Sequence, residues 1–136
     1  MDASSIEPAL LELLGAPSGA SVDELIRIGV PLSALDRLSQ YGVNPTIIGI
    51  ISQRTLRRRL SQDRSLTHSE GDHLYRVGRI TILAEAAFCN QYKSLAWLQK
   101  SRPALGNRSA LQAASTTAGL LAAEELLLIL QHGFAA

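Results

Sequence analysis

Residues 51–60 read Ile51-Ser52-Gln53-Arg54-Thr55-Leu56-Arg57-Arg58-Arg59-Leu60, so that four of ten consecutive residues are arginines. Ser52 is a residue that can cap a helix, and we predict that the helix runs from Gln53 to Leu60. Leu56 and Leu60 lie four residues apart and can pack inward on one face, so that the glutamine and the arginines project outward. Arginine and glutamine read base edges in the major groove, and arginine also neutralises phosphates. The stretch therefore predicts a helix that contacts DNA.

The residues before this helix complete a predicted helix-turn-helix. Asn44 followed by Pro45 is a start signal, and it predicts a short apolar helix over residues 46–51, followed by a tight turn that contains Ser52. In this arrangement, at about residues 45–60, the second helix enters the major groove. Ile50 stands where such turns usually have glycine, and Gly49 lies one residue earlier. The candidate DNA-binding residues are Gln53, Arg54, Thr55, Arg57, Arg58 and Arg59. The alternative interpretation is that the arginines form a solvated helix face.

The distribution of charge along the chain agrees with a DNA-facing segment. The 136 residues carry 13 basic and 12 acidic side chains, and a net charge of +1 would by itself argue against a nucleic-acid binder. Counted by segment, residues 1–50 carry −4, residues 51–80 carry +4 and residues 81–136 carry +1. Such asymmetry bears on the choice of partners, and the basic segment contains the predicted DNA-contacting helix.

The rest of the chain predicts an all-α fold of eight to nine helices with short connections. Leucine and alanine dominate, and the alternation of apolar and polar residues that marks a strand is not sustained. The longest predicted helix runs from about Ser69 to Cys89, and Asn90 caps the next one. A loop over residues 103–108, with Gly106 and Asn107 as its turn, precedes a short helix, and the final helix continues through Gln131.

The sequence also argues against several functional classes. A single cysteine forms no intramolecular disulfide and is typical of a reducing compartment, so we expect a soluble cytoplasmic protein. We expect no secretory leader, because residues 1–5 contain Asp2 and two serines, and the most apolar stretch is too short to span a membrane. The histidines and the cysteine lack the spacing of metal ligands. Without a phosphate-binding loop or a nucleophile elbow, we predict no catalytic residue, no cofactor and no enzyme.

The same stretch, residues 51–60, resembles the Ile-Ser-x-Arg-Thr-Leu-x-Arg-Arg-Leu segment of the Xre/MbcA/ParS-type antitoxins. The resemblance extends over about residues 28–133, most of the chain. Its other elements are Leu74–Ile80, Ala84–Phe88, Ala96-Trp97-Leu98, Pro103–Arg108, Thr117-Ala118-Gly119, Glu124-Glu125-Leu126 and His132-Gly133. The sequence departs from the family pattern at Asn107, where glycine is common, and at Ala110, where proline is common.

This resemblance implies a type II antitoxin that works as a homodimer and does no chemistry itself. It implies an Xre-like helix-turn-helix region within residues 1–65 and a helical toxin-binding domain at residues 66–136. The implied partners are a RES-domain toxin, which resembles ADP-ribosyltransferases and uses NAD, and the operator DNA of the antitoxin's own operon, which it would repress. The alternatives are a stand-alone helix-turn-helix regulator without a toxin, and a helical adaptor whose basic helix only aids solubility.

Two segments are the candidate toxin contacts. The loop before the short helix is exposed in this interpretation and carries Arg108, and the end of the chain would lie at the toxin's NAD pocket. The toxin-binding candidates are Leu105, Gly106, Asn107, Arg108, Gln131, His132, Gly133 and Phe134. Five consecutive apolar residues, Leu126–Leu130, cover the whole circumference of the last helix, which predicts burial on more than one side, in the core or at an interface. Trp97 is either a core residue or an interface residue.

Overall fold

The structure, a computed structural model, describes residues 6–16 and 19–133. Within those ranges it contains eight α-helices and no β-strand, which confirms the all-α prediction. The helices are α1 (Glu7–Leu14), α2 (Val22–Ile28), α3 (Ser33–Gln40), α4 (Gln53–Gln62), α5 (His68–Phe88), α6 (Gln91–Gln99), α7 (Ala110–Ala113) and α8 (Thr117–Gly133). A 3₁₀ turn, Pro103–Leu105, lies between α6 and α7.

The described chain divides into two compact units. The first is Glu7–Tyr75, and the second contains Ile6 and the residues from Arg76 onward, so the division falls within α5. The domain boundary predicted after residue 65 precedes this division and stays a prediction. The predicted DNA-contacting helix lies in the first unit, and both candidate toxin-binding segments lie in the second.

Short polar side chains cap several helices and fix where they begin. The Ser52 and Asn90 caps are confirmed, because Oγ of Ser52 accepts a hydrogen bond from the Thr55 N–H at 3.1 Å and Oδ1 of Asn90 accepts one from the Lys93 N–H at 2.8 Å. The long helix α5 begins slightly before Ser69, since Thr67 and Glu70 form a reciprocal pair at its first turn. This is the Thr-x-x-Glu capping box, which satisfies two backbone donors.

The short helix predicted over residues 46–51 is wrong. The Asn44 side chain accepts hydrogen bonds from the Thr46 N–H and hydroxyl, and the Ile50 N–H reaches back to the carbonyl of Pro45. Gly49 then takes a φ of 91°, in the left-handed region that ends helical turns. The segment is a capped turn, and the helix that precedes α4 is α3, twelve residues upstream of it. This connection is longer than the three to four residues of a compact helix-turn-helix.

The core of the first unit lies where α1 packs against α2 and α3. Its largest buried side chains are aliphatic and come from all three helices and the residues between them: Leu10, Leu13, Leu14, Leu25, Val30, Leu35 and Leu38. Arg37 donates from Nε to the carbonyl of Leu13 at 2.6 Å, so a cation stabilises the C-terminal end of α1. The predicted DNA-contacting helix, α4, belongs to the same unit as this core.

The second unit is built around α8, which packs against α7 and the 3₁₀ turn. Arg79 of α5 forms an ion pair with Glu124 of α8, with 2.9 Å between the nearest nitrogen and oxygen. Arg76 donates to the carbonyls of Ala114 and Ser115 at 2.9 and 3.0 Å and so holds the end of α7. Two arginines of the basic segment therefore have structural partners in this unit.

Candidate functional site

The outer face of α4 carries four of the predicted DNA contacts. Gln53, Arg54, Arg57 and Arg58 are all exposed, as the spacing within the helix predicts. None of the three arginines has an ion-pair partner among the residues that the structure describes. Three adjacent guanidinium groups and an amide therefore face solvent on a helix of ten residues, which is the composition that reads and neutralises DNA.

The inner face of α4 differs from the prediction. Leu56 is half-buried, but Leu60 is 61% exposed, so the expected inward packing of Leu60 is wrong. No side chain of α4 is buried. The helix is held instead by buried residues on either side of it, Ile50 and Ile51 before it and Leu66 after it. The Leu66 N–H donates to the carbonyl of Val30 at 2.9 Å, which ties the end of this segment to the core of the first unit.

Two of the predicted DNA contacts, Thr55 and Arg59, are half-buried and lie on this inner face. The Arg59 guanidinium binds the Glu70 carboxylate, and both side chains are largely covered, at 12% and 16% exposure. The same Glu70 oxygen accepts the Thr67 N–H at 2.9 Å. The structure thus gives Arg59 an internal role, which connects α4 to the first turn of α5.

Burial would raise the pKa of the Glu70 carboxyl, but the hydrogen bonds from Arg59 and Thr67 and the positive charge of Arg59 outweigh it. The pKa is therefore lowered from its ordinary value of 4.5. A lowered folded-state pKa contributes stability that is present above the unfolded-state value and is lost as the pH falls through the folded-state value. This contribution is therefore complete at neutral pH.

We expect Glu70→Gln to lower the free energy of unfolding of the first unit by about 1–2 kcal/mol at pH 7, because it removes a charged hydrogen-bond acceptor from a covered site. The deficit should shrink as the pH falls below 4.5 and through the lowered pKa of the folded state, because the wild-type carboxyl then becomes protonated as well. Urea unfolding at a series of pH values measures both effects. A deficit that stays constant down to acid pH would contradict the role assigned to the carboxylate.

Part of the +4 charge of residues 51–80 is paired inside the protein, because Arg59, Arg76 and Arg79 have internal partners. Seven arginines give this segment its charge, and these three have acceptors within their own unit. The exposed arginines of the segment are Arg54, Arg57, Arg58 and Arg64. The positive charge that faces solvent is therefore concentrated on and directly after α4.

In the second unit, the candidate loop is a tight turn closed by its own backbone. The Arg102 N–H donates to the carbonyl of Arg108 at 3.1 Å, and the Asn107 N–H donates to the carbonyl of Arg102 at 2.9 Å. Gly106, Asn107 and Arg108 are exposed, whereas Leu105 is only 3% exposed and belongs to the core. The loop thus presents three of its four predicted contact residues to solvent.

Gly106 and Asn107 both take left-handed backbone conformations, with φ of 68° and 63°. Asparagine tolerates this region better than other residues with a Cβ, which explains why it can stand at a position where the antitoxin pattern that this chain resembles has glycine. We expect Asn107→Gly to keep the stability of the wild type and Asn107→Val to lose about 1–2 kcal/mol. Thermal unfolding of the two variants measures the difference, and equal melting temperatures would contradict it.

The end of α8 presents the second candidate segment. Gln131 is half-buried, His132 and Gly133 are exposed, and Phe134 lies outside the described residues. One turn earlier, Leu127 is buried while Leu128 and Ile129 are 48% and 60% exposed. The run of five apolar residues is therefore divided between the core and an open apolar surface. The sequence pattern alone does not show which of the five residues face which side.

Within residues 6–16 and 19–133, no three of the His, Cys, Asp and Glu side chains are grouped so that they could hold a metal ion. None of the helices in that part of the chain is both long and apolar enough to cross a membrane. What the described residues offer is an exposed basic helix in one unit and an exposed loop and apolar helix face in the other. Both arrangements suit macromolecular partners.

Comparison with known proteins identifies a family domain in the C-terminal part of the chain. Residues 83–133 match the family model for the antitoxin Xre/MbcA/ParS C-terminal toxin-binding domain. A curated protein from Pseudomonas putida, "Antitoxin Xre", is 32% identical over 128 residues, which cover 93% of this chain and 80% of that protein. The family-model match takes in both candidate toxin-binding segments as far as Gly133.

Proposed function

Because this chain belongs to the Xre/MbcA/ParS-type antitoxins, with a C-terminal toxin-binding domain, we propose that it inhibits a RES-domain toxin and represses its own operon. The observation that carries the first part is the family match over residues 83–133, which contains the exposed loop and the open face of α8. The antitoxin acts in the cytoplasm and does no chemistry itself. Its effect comes from covering a surface of the toxin.

The proposed inhibition places the loop and the end of α8 at the NAD pocket of the toxin. Gly106, Asn107 and Arg108 face solvent on a turn that is rigid because its ends are hydrogen-bonded to each other. A rigid, exposed loop loses little conformational freedom on binding, which favours affinity. Arg108 supplies a positive charge, and Gln131 and His132 supply hydrogen-bonding groups at the end of the helix.

The proposed repression uses the exposed face of α4. Gln53, Arg54, Arg57 and Arg58 would contact the operator, and we assign Thr55 and Arg59 to holding the helix in place. In a homodimer, two copies of this helix would read an inverted repeat with half-sites about one helical turn apart.

A stand-alone regulator without a toxin is the second candidate function. The exposed arginine face of α4 serves it equally well, but the match to a toxin-binding domain favours the antitoxin. Co-expression with the product of the neighbouring reading frame, which the antitoxin interpretation expects to be a RES-domain toxin, separates the two. An antitoxin restores growth and co-purifies with the toxin, whereas a stand-alone regulator does neither while still binding its promoter.

A further inference from the structure

Two neighbouring depressions on the second unit share Trp97 and Leu130 in their walls. One, of about 400 Å³, is also lined by Leu126, Ile129, Lys100 and Arg102. The other, of about 640 Å³, extends towards Phe88. Together they form what we call the Trp97 groove, defined by Phe88, Trp97, Leu126, Ile129 and Leu130 as its apolar wall. All of these residues lie within the stretch that matches the toxin-binding domain.

The wall of the Trp97 groove is formed from core and surface residues together. Trp97 packs beside Phe88 with 6.3 Å between ring centroids and is 9% exposed, so its ring is fixed by the core. Ile129, which lines the same depression, is 60% exposed. A fixed aromatic ring beside an uncovered aliphatic side chain is the kind of surface that an apolar anchor of a partner protein fills.

One end of the groove is positively charged. The Arg102 guanidinium lies 4.9 Å from the centroid of the Trp97 ring and donates to the Trp97 carbonyl at 3.1 Å. Its Nε is buried without an acceptor among the described residues, and no carboxylate in that part of the chain pairs with it. Lys100, which lines the same depression, is exposed. These two cations have no acidic partner and lie beside an apolar wall. They therefore complement a partner segment in which a carboxylate lies next to an apolar side chain.

We propose that the Trp97 groove binds a segment of the toxin in which a large apolar side chain is followed closely by an aspartate or glutamate. The apolar side chain would lie between Trp97 and Ile129, and the carboxylate would lie at Lys100 and Arg102. This inference deepens the proposed function, since it rests on a toxin partner, and it adds a second contact to the loop and the end of α8.

The single tryptophan of the chain makes occupancy of the groove directly observable. In the ¹⁵N-labelled full chain, one indole N–H resonance reports on Trp97, and the probe is the unlabelled RES-domain toxin. We expect this resonance to move on binding. Lys100→Glu should raise the dissociation constant about tenfold, because it places like charges at the carboxylate. Lys93→Glu is the matched control, since it makes the same charge change on an exposed lysine of α6 that does not line the groove, and it should stay within about twofold.

A second variant tests the apolar part of the contact without touching the core. Ala104→Phe adds a ring to an exposed residue that lines the smaller depression, so it should obstruct the groove and weaken binding at unchanged melting temperature. The proposed groove contact is wrong if the complex forms while the indole resonance stays unmoved and Lys100→Glu has the same dissociation constant as Lys93→Glu. The toxin would still be a partner in that case. If the wild type forms no complex at all, both the groove and the proposed partner are overturned.

Discussion

Replacing Arg54 and Arg57 together by alanine is expected to weaken binding to the chain's own promoter about 100-fold. Both side chains are exposed on the outer face of α4, and each contact to a base edge or phosphate contributes about 1–3 kcal/mol. If both contact phosphates, the slope of log affinity against log salt should fall by about two. Electrophoretic mobility shifts or fluorescence anisotropy over a salt series measure both quantities.

The control for this experiment removes two positive charges from positions outside α4. Arg27→Ala with Lys93→Ala also takes away two exposed cations, one from each unit, but neither lies on α4. We expect this pair to change promoter binding less than about threefold, because distant surface charges are largely screened at physiological salt. Equal losses in the two double variants would show that only net charge matters and would remove α4 as the contact surface.

Substitution of Gly119 by alanine is expected to unfold or severely destabilise the second unit. A Cβ at this position of α8 would lie 1.9 Å from the carbonyl oxygen of Ala113 and 2.8 Å from its carbon. Both atoms are backbone, so relief requires α8 to move away from α7, against which it packs. We expect a loss of about 3 kcal/mol or more, with a fall in melting temperature of roughly 10–20 °C.

Gly133→Ala provides the matched control on the same helix. Nothing lies within 4 Å of the Cβ that it would add, so its melting temperature should equal or slightly exceed that of the wild type. Toxin binding should be lost with Gly119→Ala together with the fold of the second unit. A Gly119→Ala chain with normal stability would contradict the close packing of α7 and α8 on which the toxin-binding surface depends.

The sequence predicts what is determined locally. Ser52 and Asn90 cap the helices that their neighbours suggest, because a cap needs only three or four consecutive residues. The outward direction of Arg54, Arg57 and Arg58 follows from helical spacing alone. The helix predicted over residues 46–51 is wrong because Asn44 and Pro45 fit a turn and a helix start equally well, and the left-handed backbone at Gly49 decides against the helix.

Partners that lie far along the chain could not be predicted in this way. The pairing of Arg59 with Glu70, eleven residues later, depends on how α4 and α5 meet, and the burial of Leu105 depends on the packing of the 3₁₀ turn against α8. The Trp97 groove combines residues from α5, α6 and α8. Two features of the sequence bear on this groove: a single tryptophan on an apolar helix face, and a helix that is apolar on all sides. Neither feature shows which of these apolar residues stay exposed to solvent.

The most direct test of the central claim measures NAD consumption by the purified RES-domain toxin while the full chain is added in increasing amounts. If the chain is an antitoxin that covers the NAD pocket, consumption falls in proportion to the chain added and reaches background at a fixed molar ratio. The Arg54→Ala, Arg57→Ala variant should inhibit equally well, because those residues lie in the other unit. A toxin that co-purifies with the chain but consumes NAD at its full rate would contradict the claim.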